Sequence, residues 1–305
     1  MQLPERRHVY QNHHLDSTRW DYFVHRPGDI VISTSYKAGT TWMQGIVGQL
    51  LFPNGELEDP IERSPWIDAR WFPLELMLNE LGAQTSRRFM KTHLPLDAVP
   101  YRSDVHYIMV GRDPRDVFMS LLNHWGNHTP LFYQLINGVP GRVGDLFPQF
   151  EADVRARWRD WITRGWFAWE SDGFPYWSHL HHCKTWWEFR HLPNIKLVHY
   201  ADLLADLAGQ MREIAEFLDI EVPAPRWAHV VEACGFEAMK RQAMRDDSMQ
   251  LIWNGGAATF FNKGTNGRWR DMLTADDLAL YEAAMRKALP PDAAHWLENG
   301  GRYAT

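Results

Sequence analysis

Thiols are scarce in this sequence: Cys183 and Cys234 are the only two. Two cysteines cannot build a disulfide framework, and no CxxC spacing offers a thiolate metal site. A reducing, cytoplasmic setting is the expectation. Long apolar runs are also missing. No stretch of 18 apolar residues occurs, so no membrane-spanning helix and no integral membrane association are expected. The first residues, MQLPERRHVYQNHHLD, are polar and lack the apolar core of a signal peptide. Positive charge is not in excess either. The net charge is −6, which argues against a general nucleic-acid surface. Any multiply charged anion must therefore meet cations gathered at one place. Repeats, low-complexity tracts and a linker that would split the chain are absent as well.

What is present is a chain of 305 residues, long enough for one large α/β domain. Strand-like apolar runs alternate with helical patterns. DIVIST, RFMKTHLP, VHYIMVGR and IKLVHY read as strands. Helical spacing follows in TTWMQGIVGQLLF, and Asp113 and Pro114 open another helix as N-cap and first helical position. DLLADLAGQMREIAEFL reads as one amphipathic helix, and TADDLALYEAAMRKAL as a last helix capped at Thr274. Residues 127–150 read as an irregular excursion, 151–191 as helical and aromatic, and the stretch after 218 as rich in loops. This alternation predicts a parallel sheet covered by helices on both faces, with ligands outside the carboxyl ends of its strands. The expected layout is an N-terminal arm over 1–26, one domain over 27–290 and a tail over 291–305.

Sixteen tryptophans are an unusual number, and many lie between Trp158 and Trp187. They read first as an aromatic core. Some of the rings could instead line a pocket for an apolar acceptor.

The stretch STSYKAGTTW, residues 33–42, follows the first strand and opens the first helix. Such a joint makes an anion site, because first-turn N–H groups have no internal partner and the helix dipole adds partial positive charge. Gly39 allows close backbone approach, Thr40 and Thr41 add hydroxyl donors, and Lys37 adds a full charge. A Walker A loop would have its lysine after the second glycine and a Ser or Thr for magnesium. Here Lys37 precedes Gly39, and the next strand ends in Arg112 rather than in an acid. A P-loop kinase or NTPase, which requires magnesium and ATP, is the weaker alternative.

SYKAGTTW resembles the 5′-phosphosulfate loop, usually YPKSGTTW, of cytosolic-type sulfotransferases. Tyr36 stands in place of the proline and Ala38 in place of the serine. Further pieces follow in the family's order. KTHLP resembles the strand of the catalytic histidine, matching at Lys91, His93 and Pro95. VGRDPRDVFMSLLNHW resembles the 3′-phosphate segment RxxxDxxxS, matching at Arg112, Asp116 and Ser120. The tryptophan-rich FPYWSHLHHCKTWWEF, the strand ending at Tyr200, the adenine-side GFEAMK and the closing loop NKGTNGRW also find counterparts. The resemblance spans about residues 28 to 290. It implies a single P-loop-like sulfotransferase domain of α/β class, with a central parallel sheet flanked by helices.

It also implies transfer of a sulfuryl group from 3′-phosphoadenosine 5′-phosphosulfate (PAPS) to a hydroxyl, leaving the bisphosphate PAP. By resemblance, Lys37, Ala38, Gly39, Thr40 and Thr41 hold the 5′ end, and Arg112 and Ser120 hold the 3′-phosphate. Trp42 and Phe236 flank the adenine. Tyr200, Asn262, Lys263 and Gly264 complete the nucleotide site. His93 acts as the base, with Lys37 on the bridging oxygen and Lys91 on the transferring group. Lys91 and His93 are two apart on a strand, so their side chains share a face; the cation then lowers the histidine pKa and keeps it neutral.

No metal is expected, because lysines, amides and a helix end supply the neutralising charge. The rival cluster, His179, His181, His182 and Cys183, carries a zinc alternative, since positions 179 and 183 share a helix face. The acceptor is expected to be a hydrophobic alcohol, phenol or lipid-like molecule held by residues 60–80, 125–145 and 240–256. In the closing loop Asn262 replaces an arginine, with Lys263, Arg268 and Arg270 as candidates to compensate. Cys234 and Gly235 replace hydroxyl residues on the adenine side. The dimer motif survives only as Arg270, Thr274 and Ala275, with Ala279 in place of glutamate, so oligomeric state stays open. These departures keep a second alternative in play, a PAP- or PAPS-binding protein without catalysis.

Overall fold

The computed structural model of the protein describes residues 2–56 and 59–303. Three parts of the sequence reading, the first residue of the arm, the loop at 57–58 and the last two residues of the tail, lie outside the described residues. Four strands form one parallel sheet: β1 (Ile30–Thr34), β2 (Phe89–Thr92), β3 (His106–Gly111) and β4 (Ile195–His199). Their order is β2-β1-β3-β4, with Ser33 beside Thr92 on one side and Met109 on the other. All four carboxyl ends therefore meet at one edge. The chain steps from β1 to β2 on one side, then crosses to β3 on the other. That reversal opens a crevice between the tips of β1 and β3, the place where open α/β sheets bind ligands.

Alternate residues of each strand feed two separate cores. Ile30, Ile32, Ile108, Val110 and Val198 face one layer. It is covered by α1 (Thr40–Leu51), α8 (Leu207–Phe217) and α9 (Trp227–Ala233). Val31, Met90, Tyr107, Met109 and Leu197 face the other, which holds most of the tryptophans. There α6 (His179–Glu188) lies under the sheet, and Trp158, Trp177 and Trp186 are almost wholly buried. The first 26 residues join this layer, with Tyr10, His14 and Leu15 fully buried.

Several elements depart from the sequence reading. The stretch at 127–150 contains α4 (Pro130–Asn137), whose N-cap Thr129 accepts from Phe132 N and whose first residue is a proline. The Thr-Pro pair was the available signal. The helix after β4 is two helices, α7 (Tyr200–Ala205) and α8, because the Asp206 side chain leaves the first to cap the second at Gly209 N. The aromatic segment is helical only in α5 (Val154–Thr163) and α6, with irregular chain at 164–178. Beyond residue 218 stand α9, α10 (Phe236–Ala243) and the short α11 (Gly256–Phe260). The elements α2 (Leu74–Ala83), α3 (Pro114–Gly126) and α12 (Ala275–Ala288) match the reading, and Thr274 and Asp277 form a full capping box.

The segment from 291 holds a further helix, α13 (Pro291–Asn299). Its Trp296 lies directly over Gly111 at the tip of β3, where a Cβ would come within 2.6 Å of the ring. Trp296 also meets the rings of His199 and Trp187, each at 5.3 Å. Among the described residues no helix is long and apolar enough to cross a membrane. Because Trp296 is 3 % exposed, Trp296→Ala is expected to cost about 3–5 kcal/mol of stability, read from the urea midpoint. A loosely attached tail would leave that midpoint unchanged.

Candidate active site

The loop after β1 turns sharply before α1. Gly39 (φ 123) caps the helix, and Lys37 itself has a positive φ of 66. Such a conformation is uncommon for a residue with a side chain, and it aims the lysine back over the strand tips. A Cβ on Gly39 would lie 3.1 Å from the Tyr200 ring, so glycine also lets α7 approach. Thr40 is buried and its hydroxyl meets that of Thr34, while Thr41 and Trp42 are half-buried in the first turn of α1. Ala38 is fully buried beneath the loop.

The Lys37 ammonium lies 4.1 Å from the centre of the Phe260 ring and 3.4 Å from His124 Nδ1. Burial lowers its pKa to about 7, and the nearby charges of Arg112 and Lys91 push the same way. Lys91, on β2, is lowered by burial to about 8 against an opposing pull from Asp68. Lys37 thus senses both Lys91 and Arg112 across the tips of three strands.

His93 follows β2 directly and is 3 % exposed. Its Nδ1 is 2.9 Å from the Thr34 carbonyl. A carbonyl can only accept, so Nδ1 carries the hydrogen and Nε2 keeps the lone pair. Burial, then Lys91 and Lys37, lower its pKa to about 3. The ring is boxed by Trp66 (4.5 Å, edge-on), Tyr36 (5.1 Å, edge-on) and Trp177 (5.6 Å). His93 is therefore a neutral imidazole in one fixed tautomer, shaped to take a proton at Nε2.

Arg112 leaves the tip of β3 and ties three segments together. It donates to the Lys37 carbonyl (3.2 Å), to Asn266 Oδ1 (3.0 and 3.2 Å) and to the Thr265 carbonyl (3.4 Å). Its guanidinium stacks 4.0 Å over the Tyr200 ring. Asp116, one turn into α3, accepts from Gly267 N at 2.7 Å. The closing loop is thus fastened at Asn266 and Gly267. Ser120 lies one turn beyond Asp116 and is half-buried. In the same loop Asn262 is half-buried, Lys263 is exposed, and Gly264 (φ 63) sits against Phe236, whose ring a Cβ would meet at 2.7 Å.

Trp42 donates from Nε1 to the Cys234 carbonyl at 2.8 Å and stands edge-on to Tyr200. Arg268 is half-buried; its charge reaches Arg112 and Asp116, and its Nε is buried without a hydrogen-bond partner. Arg270 is exposed.

Two histidines of the α6 cluster point at the strand tips and the third turns away, instead of all gathering around one point. His179 bonds the Ser35 hydroxyl and, at 2.8 Å, the Arg112 carbonyl. His182 bonds Ser33 Oγ at 2.8 Å, and His181 bonds Asp97. Cys183 is buried. Among the described residues, no three His, Cys, Asp or Glu side chains are grouped so as to hold a metal ion.

Other participants escaped the sequence reading. Asp68, fully buried under His93, accepts from Trp66 Nε1 (2.7 Å) and Trp20 Nε1 (3.2 Å). Tyr36 bonds His124 Nε2 at 2.9 Å and stacks on Tyr176. Asn266 braces Arg112. The acid in SPWIDARW and the tyrosine in place of the loop proline were the only sequence signals for the first two.

Comparison with known proteins gives a consistent result. The profile of the sulfotransferase domain matches residues 27–291. A glycolipid sulfotransferase of Mycobacterium bovis is 34 % identical over 96 % of this chain and 95 % of its own length. Sulfotransferase 1A1 of Rattus norvegicus is 27 % identical over 88 % of this chain and 86 % of its own. Two solved structures share the fold. Retinol dehydratase, solved with androsterone and the inactive cofactor PAP, superposes with a TM-score of 0.68 at 23 % identity, covering 90 % of this chain and 84 % of that one. A mouse sulfotransferase solved with PAP gives 0.66 at 18 % identity, covering 92 % of each chain.

The His93 assignment has a direct spectroscopic check. In ¹⁵N-labelled protein, its Nε2 signal is expected in the unprotonated range and unchanged from pH 8 down to pH 5. A titration near the ordinary histidine value of about 6.5 would contradict it.

Proposed function

Because the chain belongs to the sulfotransferase family and is thereby a sulfuryl-transferring enzyme, we propose that it carries the sulfuryl group of PAPS in line to a hydroxyl of a hydrophobic acceptor, with His93 as the base. The observation that carries this reading is the fixed, neutral His93 beside two crowded lysines. We assign the reaction to residues 27–290.

The cationic crevice fits the two anionic ends of the donor. The charges of Arg112 and Lys91 depress the Lys37 ammonium, a conflict that a bound anion relieves. The loop from Lys37 to Trp42 takes the 5′-phosphosulfate on Lys37, the amides of Ala38, Gly39 and Thr40, and the Thr41 hydroxyl. Arg112, Ser120, Lys263 and Gly264 take the 3′-phosphate. Arg268, with its unpartnered Nε, supplies the charge that Asn262 lacks. Trp42 and Phe236 flank the adenine, and Tyr200 holds the Arg112 guanidinium in place.

In the reaction, His93 Nε2 takes the proton of the acceptor hydroxyl as its oxygen attacks sulfur. The bond from sulfur to the bridging oxygen breaks, and the electron pair leaves with PAP. Lys37 stabilises the charge growing on that bridging oxygen, and Lys91 faces the transferring group. Asp68 accepts from Trp66 and Trp20, which places the wall on which the base rests. The aromatic box around His93 suits an apolar acceptor, and the name of the mycobacterial relative fits a lipid-like one.

Two measurements test the reading. His93→Ala is expected to lower kcat by about 10²–10⁴-fold while the PAP dissociation constant changes by less than about threefold. Normal turnover in that variant would remove the base assignment. Lys37, lowered to about 7, is largely neutral at pH 8 in the free protein and must regain its proton to pair with phosphate. PAP binding at pH 8 should therefore take up about one proton per site, and affinity should fall as pH rises above 7. Calorimetry in HEPES and Tris reads the uptake, which Lys37→Met should abolish. Equal heats in both buffers would refute it.

A further inference from the structure

Next to the catalytic box lies a buried hydrogen-bond acceptor that the reaction as proposed does not use. His13 Nε2 is 3.0 Å from the Pro175 carbonyl. That oxygen only accepts, so Nε2 of His13 carries its hydrogen. Burial lowers the His13 pKa to about 3, which leaves the ring neutral and its Nδ1 bare. The neighbour of that Nδ1 is Nδ1 of His14, which must therefore be the donor. His14 is likewise held far below its ordinary pKa by burial. Its remaining nitrogen, Nε2, is then a lone-pair acceptor, and it is fully buried without a partner. A polar atom in that state costs free energy until something donates to it.

The surroundings say what the donor is. The His14 ring is enclosed by Trp71, Phe147, Tyr176, Phe132, Trp177 and Tyr36, at centroid distances of 5.0 to 6.2 Å. Of these, only Trp71 and Tyr36 are partly open to solvent, which makes theirs the side of the cage nearest to solvent. Tyr36 is also a wall of the His93 box: its ring is 6.2 Å from His14 and 5.1 Å from His93. The two imidazoles thus present two bare nitrogens, each the product of a carbonyl-anchored tautomer, around one shared tyrosine. A molecule that spans both nitrogens would carry two separated hydroxyls, and the aromatic rings around each imidazole, with Tyr36 and Trp177 common to both, suit a ring between them.

We propose that His14 is a specificity-determining residue for the acceptor: its Nε2 accepts a hydrogen bond from a second hydroxyl of the molecule whose first hydroxyl is presented to His93. The inference rests on the sulfuryl-transfer reading above and narrows its acceptor to ring compounds with two separated hydroxyls. A site with a buried acceptor discriminates against analogues lacking the donor, because the acceptor is then sealed in unpaired. Sugar rings of glycolipids and aromatic diols share this chemistry.

The test compares octyl β-D-glucoside and 2,6-dihydroxynaphthalene with 2-naphthol, which has one hydroxyl and serves as reference within each protein. Wild type is expected to favour one or both polyhydroxylated acceptors over 2-naphthol by about tenfold or more in kcat/KM. The arm that shows it identifies sugar or aromatic diol. In His14→Phe the ratio should fall to about one, and in His14→Gln, which keeps an acceptor atom, it should be partly restored. Monodeoxy octyl glucosides or the monomethyl ether of the diol, assayed on wild type alone, give the same reading without any variant: loss of one particular hydroxyl should remove the preference. A ratio near one in wild type, or a ratio unchanged in a folded His14→Phe, would overturn the proposal. Failure of wild type to sulfate even 2-naphthol or any other hydroxyl in the set would strike at the proposed reaction instead.

Discussion

Like charge is crowded at the carboxyl edge of this sheet. Lys37, Lys91 and Arg112 arrive from the tips of β1, β2 and β3; burial depresses all three, and the other two push Lys37 down further. In a chain of net charge −6 such crowding costs stability, because a buried cation without a full counterion is unfavourable. Lys37 pays most clearly: burial and its two cationic neighbours all act in the same direction. The strand order explains why the conflict arises here. The crossover between β1 and β3 brings two loops to one crevice, and the positive φ at Lys37 turns its ammonium inward. An anion entering the crevice relieves repulsion that the fold has already built in.

The state of His93 follows from the same crowding. A histidine facing solvent would be protonated for part of the physiological range. Here burial and two lysines keep it neutral, while the Thr34 carbonyl decides which nitrogen is bare. That carbonyl belongs to the last residue of β1, immediately before the anion loop. One strand end thus fixes both the turn that carries Lys37 and the tautomer of His93. The tryptophan-rich layer below makes this possible by excluding water, which is why an aromatic core and a polar reaction centre lie side by side.

Much of this was legible in the sequence, for physical reasons. The four strands are short apolar runs bounded by turns, and both faces of the sheet are covered, so composition alone marks them. The loop at Lys37 and the Lys91–His93 pair were readable because strand periodicity and helix-end chemistry act over a few residues. What escaped acts over long separations. Asp68 meets His93 only because Trp66 pairs beside Lys91, and Asn266 reaches Arg112 across 154 positions. The split at Asp206 escaped because apolar spacing continues through it while the side chain caps the next helix. The N-terminal segment carried no periodicity, since its residues fill gaps in an aromatic layer and its regular structure is a single short 3-10 helix, Ser17–Tyr22.

The departures from the family pattern show what such a site constrains. A proline at position 36 could carry no hydroxyl; Tyr36 there joins the loop to His124 and walls His93. Read alone, Asn262 subtracts a charge from the closing loop. Six residues on, Arg268 is half-buried, in electrostatic reach of Arg112 and Asp116, with an unpartnered Nε. A phosphate responds to the potential at a point and to donors within hydrogen-bond distance, whichever residue supplies them. In the proposed donor site the loop can therefore exchange one arginine for another provided its backbone stays anchored. Arg112 holds it at Asn266 and Asp116 holds it at Gly267, so the anchor and not the identity of residue 262 is the stricter requirement.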